Sequence, residues 1–164
     1  MALHDICAYG DAAKFGAGKD KAGGSITGHH IIPDHCFYYT GGRGKESCPV
    51  IDDYDINDAP VVIVTADANG GKSKEHGAVH SVFDPLELAA QKEDNEWTYA
   101  EARDAAVKSV NKALGLSAAT VKAKLDAYFL TTLGLSEQSL IRAGEHGTMK
   151  HAPNPRRSKR LKTE

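Results

Sequence analysis

Residues 28–37 read Gly28-His29-His30-Ile31-Ile32-Pro33-Asp34-His35-Cys36-Phe37, a stretch that places two adjacent imidazoles at the mouth of an apolar, β-branched run. Ile26–Ile32 has the composition of a strand, and Gly28 and Pro33 punctuate it. In a regular strand, neighbouring side chains point to opposite faces. A shared task for His29 and His30 therefore needs a bend between them, or a substrate that reaches both. A third histidine, His35, follows on the loop.

A second cluster lies downstream in Glu75-His76-Gly77-Ala78-Val79-His80. A helix is expected to start near Ser73, with Glu75 in its first turn. On that helix His76 and His80 are four residues apart, so both imidazoles share one face and can share one ion. A histidine from a neighbouring strand would make three protein ligands and leave coordination positions open, the form of a catalytic metal site. Between the clusters the run Ala59–Thr65 (APVVIVT) reads as a second strand. An HxxxH helix alone is a weak signal, and so is an HH pair. The order HH-I-I-P, loop, D-I-N, strand, HxxxH is far more specific.

The remaining sequence bounds the setting. The chain has 164 residues, 41% hydrophobic and 26% charged, which suits one globular domain with a terminal appendage. The formal net charge is −2, so any nucleic-acid contact must come from local charge. Cys7, Cys36 and Cys48 have neither disulfide-framework nor zinc-knuckle spacing. No apolar run approaches membrane-spanning length, so no membrane anchor is expected. The opening MALHDICAYG lacks a basic n-region and an apolar h-region, so no signal peptide of that type is expected in this chain.

Residues 1–27 read as an irregular lead-in with a short helix around Asp11–Phe15, and Pro49–Ile51 as a short extended piece. The second half is expected to be helical. Thr98 and Glu101 form a capping-box pattern ahead of Tyr99, Ala102, Ala106, Val110 and Ala113 at helical spacing. Leu114-Gly115-Leu116-Ser117 recurs as Leu133-Gly134-Leu135-Ser136, a helix stop followed by a helix cap. This punctuation predicts helices at about 98–114, 118–133 and 137–143. The end, from residue 147, holds Lys150, Arg156, Arg157, Lys159, Arg160 and Lys162 and reads as a solvated disordered tail, with a nucleic-acid arm or nuclear-import signal as the alternative.

Across residues 28–80 this pattern resembles the HNH/endonuclease VII superfamily, the ββα-metal or His-Me finger nucleases. Within it the pattern is similar to GHH-type polymorphic toxins and colicin DNases. The resemblance implies an α+β fold: a ββα-metal nuclease core at 28–84, a helical subdomain at 85–146, and the basic tail at 147–164. It implies one divalent ion (Mg, Mn, Zn or Ni) on His29, His76 and His80. His30 would be the general base on water, and Asn57 of the Tyr54-Asp55-Ile56-Asn57 segment would orient it. Asn69 is the alternative to Asn57, and His35 is an extra candidate ligand. Arg43, Lys72 and Lys74 would contact substrate phosphates without reading sequence. The chain departs from the colicin pattern at Thr27, where colicins carry a glutamate, and in the insert ADANGGKSK before His76.

The implied activity is phosphodiester hydrolysis of DNA that leaves 3′-hydroxyl and 5′-phosphate ends. The implied setting is a secreted antibacterial effector, cytoplasmic before delivery, acting in the target-cell cytoplasm and held off by a cognate immunity protein. Two rivals stand beside it: a zinc-stabilised nucleic-acid-binding module without catalysis, and an RNase using paired histidines as acid and base without metal. A chelator should abolish cleavage in the first reading, unfold the protein in the second and spare activity in the third.

Overall fold

Strand β2 (Ser25–His30) carries the paired histidines and runs antiparallel to β3 (Pro60–Ala66), with His29 opposite Val62 and His30 opposite Val61. The β-branched sequence of β3 suits this position, since it is buried along nearly its whole length between two neighbours. A third strand, β1 (Ile6–Ala8), pairs with the other edge of β3 and completes the order β1-β3-β2. The computed structural model describes residues 2–14, 25–40, 49–67 and 73–151.

The two faces of this sheet pack differently. Val61 and Ile63 meet Ala12 of helix α1 (Tyr9–Lys14), together with Ile26, Cys7 and Tyr9. Val62 and Val64 face the main core. Helix α2 (Glu75–Asp94) lies against β3 on that side. Its start is pinned to the sheet. One Glu75 carboxylate oxygen accepts from the Thr65 N–H (3.0 Å) and hydroxyl (3.1 Å), and the other is bonded to His4 Nε2 at 2.8 Å. The helix begins at Glu75 rather than Ser73, because the Ser73 N–H and hydroxyl both bond Asp67.

The capping box at Thr98 and Glu101 is present and starts helix α3 (Tyr99–Leu114). Gly115, at φ 72°, ends it, and the Ser117 hydroxyl accepts from Thr120 N–H to start α4 (Ala118–Asp126), which continues as a wider π-type turn over Ala127–Thr132. The second copy of that punctuation works differently. The expected helix over 137–143 is instead strand β5 (Leu140–Arg142), paired antiparallel with β4 (Glu96–Thr98). Tertiary partners decide this. The carbonyls of Glu137 and Ser139 accept the Ala100 and Tyr99 N–H groups, and Ser136 bonds Ser139 rather than capping a helix. The open N–H groups of α3's first turn need acceptors, and the extended chain supplies them.

The described residues therefore form an α+β fold in which two strands stand among the helices of the second half. Helix α2 runs unbroken through residue 84, the expected edge of the first unit. One buried cluster joins Ile31, Phe37, Val62, Phe83, Tyr99, Phe129 and Ile141 across it. Phe37 stacks between Tyr54 and Phe129, at centroid distances of 4.7 and 4.6 Å. Burying each large apolar side chain is worth about 1.5–3 kcal/mol. The short helix expected around Asp11–Phe15 is α1, which begins at Tyr9, and β1 is a strand where the lead-in reads as irregular. Of the expected tail, residues 147–151 pack on the body: Thr148 bridges Thr40, Met149 is buried, and Lys150 pairs with Asp94. Residues 152–164 lie outside the described residues, and no helix among those described is long and apolar enough to cross a membrane.

Candidate metal centre

Register places His29 on the face of β2 turned toward α2, where His76 and His80 rise one turn apart. The His29 ring meets those of His76 and His80 at centroid distances of 5.0 and 4.9 Å, and the two helix rings are 4.8 Å apart. All three contacts are edge-on, the angles between planes being 71°, 85° and 89°. One ring nitrogen from each residue lies within 4.8 Å of the others. Two bonds of about 2.1 Å in a tetrahedral site place their donor atoms about 3.4 Å apart, so the rings would draw closer together to share one ion.

Two further features favour neutral, oriented imidazoles here. Burial holds the pKa of His29 well below the ordinary imidazole value, and the neighbouring charges of His80, His76 and His30 add to the effect. A neutral imidazole is the form that ligates a metal. His80 Nδ1 is bonded to the Asp84 carboxylate at 2.9 Å, which directs its Nε2 away from Asp84. A carboxylate bonded to one ring nitrogen of a histidine fixes its tautomer and ring orientation. Asp84 escaped the sequence reading. Its signal was the extension of His76 and His80 by another four residues along one helix face.

His30 lies on the opposite face of β2. Its ring tilts over Tyr9 of α1 at 4.6 Å, and Gly28, two residues earlier, also faces Tyr9 and Ala12. The β2–β3 pairing stays in register through both histidines. No bend separates them; the strand simply ends at His30. Both side chains therefore border one open cleft of about 390 Å³, whose wall also includes His35, His76 and His80.

The other expected site residues divide. Asn57 is exposed, and its backbone and side-chain N–H groups both bond Asp55 Oδ1, at 2.8 and 3.0 Å. The nearby contact to His30 comes from the Ile56 carbonyl, 3.5 Å from Nε2. Asn57 thus shapes the loop that meets His30, and its own side chain is turned to Asp55. Lys74 sits at the N-cap of α2, where its carbonyl accepts from Ala78 N–H. Arg43, Lys72 and Asn69 lie outside the described residues.

His35 is held apart from the three converging imidazoles. It sits on the short 3₁₀ turn Asp34–Phe37, with Nε2 bonded to Glu87 of α2 at 2.5 Å. The same Glu87 oxygen accepts from Gly144 N–H at 2.9 Å and from the buried Cys36 thiol at 3.4 Å. Burial alone would raise Glu87, yet hydrogen bonds from His35, Gly144 and Cys36 hold its carboxyl below the usual carboxylate range. Arg142, fully buried, donates from Nε and Nη2 to the His35 carbonyl, and Tyr54 donates to Asp34 at 2.7 Å. The turn that follows GHHIIP is therefore fastened on both sides. Comparison with protein-family profiles, with curated proteins and with solved structures finds no match to this chain.

Proposed function

We propose that this chain is a metal-dependent endonuclease whose β2–β3–α2 unit is a ββα-metal core. The observation that carries the reading is the convergence of His29, His76 and His80 on one point beside a cleft that His30 also borders. Three imidazoles with an open side fit a catalytic divalent site better than a closed structural one, which favours cysteine and fills all four positions. A divalent ion held there would polarise a bound phosphodiester and stabilise charge on the departing oxygen.

The chain's own residues supply the rest. His30, on the other face of the strand end, accepts a proton from the attacking water. Its packing against Tyr9 and the Ile56 carbonyl fixes the ring. Asp84 orients His80, and burial keeps His29 neutral. DNA is the proposed substrate, bound through its backbone by lysine and arginine side chains such as Lys74. The proposed setting is a secreted antibacterial effector neutralised by an immunity protein.

The test is plasmid cleavage by the purified chain with added magnesium, manganese, zinc or nickel, and again with EDTA. Nicking and linearisation that require a divalent ion support the reading. Cleavage of an RNA strand, with plasmid left intact, that survives exhaustive chelation favours a metal-free RNase-like acid–base pair, and no cleavage with a chelator-sensitive fold favours a zinc-stabilised binding module.

A further inference from the structure

Glu87 and His35 make a further histidine–carboxylate pair, of which His35 borders the same cleft. His80, Asp84 and Glu87 follow one another along α2 and all line the adjoining cleft of about 470 Å³. His35 and His80 stand in the walls of both clefts. The His35 side chain is 20% exposed and that of Glu87 only 9%, so the imidazole is the member of the pair that meets solvent. Its Nε2 is committed to Glu87, which leaves Nδ1 as the ring nitrogen able to exchange a proton with a bound molecule.

The anchoring of this pair is unusually complete. Glu87 accepts from His35, Gly144 and Cys36. The backbone of His35 is clamped by Arg142, whose Nη1 also donates to the Gly147 carbonyl at 3.1 Å. Asp84 and Glu145 are the other acids beside His35 in the cleft wall, and Arg142, with its donors on backbone carbonyls, is the cation packed behind it. Glu87 and the Arg142 clamp together hold the His35 ring in one orientation at the cleft wall.

Resting on the nuclease reading above, we infer that His35, which borders the same cleft as His30 and is positioned by Glu87, is the general acid that protonates the departing 3′ oxygen. The step balances. Water adds to phosphorus and its proton passes to His30. The P–O3′ bond breaks, and the oxygen takes the Nδ1 proton of His35. The products are a 5′-phosphate and a 3′-hydroxyl, and both imidazoles re-equilibrate with solvent.

The test compares two duplex oligonucleotides, identical except that one carries a bridging sulfur in place of the 3′ oxygen at a single linkage. A thiolate leaves without needing a proton. His35→Gln keeps an amide nitrogen able to bond Glu87. It should cut the oxygen linkage about 10²-fold more slowly than the wild type, yet cut the sulfur linkage within about 3-fold of it. Glu87→Gln should show the same split, smaller in size. Equal slowing on both linkages, whether from lost folding or lost substrate binding, overturns the assignment, as does unchanged cleavage of the oxygen linkage. If the wild type cleaves neither duplex with any divalent ion, the nuclease reading itself fails and this inference falls with it. An active wild type whose His35→Gln variant shows no split removes only the general acid.

Discussion

The imidazole of His29, on a strand, meets that of His80, on a helix, edge-on with ring centroids 4.9 Å apart. Strand register turns His29 toward α2, and the Glu75 contacts to Thr65 and His4 set the height at which α2 starts. Two independent pieces of secondary structure are thus locked so that the rings face one point.

Replacing His76 by Ala should leave two imidazoles, a poor site. Zinc or nickel affinity measured by calorimetry should fall by more than the roughly 10–100-fold that loss of an outer partner costs. His29→Ala should behave alike and lose cleavage with it. Unchanged affinity in either variant would remove that residue from the ligand set.

Asp84 provides a subtler probe. Asp84→Asn keeps the shape but weakens the hold on the His80 tautomer, so metal affinity should drop about 10–100-fold. The side chain is half exposed, and circular dichroism and melting should change little. If affinity is unaltered, the His80–Asp84 bond is only a surface pair.

The sharpest separation lies between neighbours. His30→Ala should retain metal binding and fold yet lose cleavage, by about 10²-fold or more. Wild-type expression in bacterial cytosol should be toxic, and this variant should relieve the toxicity at equal protein yield. A His30→Ala protein that cleaves plasmid at the wild-type rate would end the division of labour between the two histidines.

Glu87 predicts an acid limb of stability. Its folded-state pKa lies below the ordinary value of 4.5, so between the two values the unfolded chain binds more protons. The contribution is fully present above that ordinary value and is lost as pH falls through the folded one. Urea midpoints taken against pH in EDTA should show Glu87→Gln less stable than wild type at neutral pH, with the gap closing in acid. A gap that stays constant with pH would mean the ionised carboxylate is not what the fold uses.

Much of this architecture was local enough to read in one dimension. The β-branched run at 60–66, the helix that carries His76 and His80 and the Thr98 capping box each depend on residues close in sequence. So did the grouping of the two helix histidines, because a 3.6-residue period is a property of the helix alone. Leu133-Gly134-Leu135-Ser136 shows where such reading stops. Its local signal matches the copy at 114–117, yet pairing with β4 and the open N–H groups of α3 draw the chain into a strand.

The site divides in the same way. Residue types and spacing marked His29, His30, His76 and His80. That His29 and His30 serve opposite faces and still border one cleft was decided by where β2 ends. The pairing of His35 with Glu87 was out of reach of any pattern, as was the clamp that Arg142 closes on the His35 carbonyl. These contacts join residues with no periodic relation in sequence. They exist because the core packs α2, β5 and the 3₁₀ turn together, and buried polar groups must find their partners wherever packing leaves them.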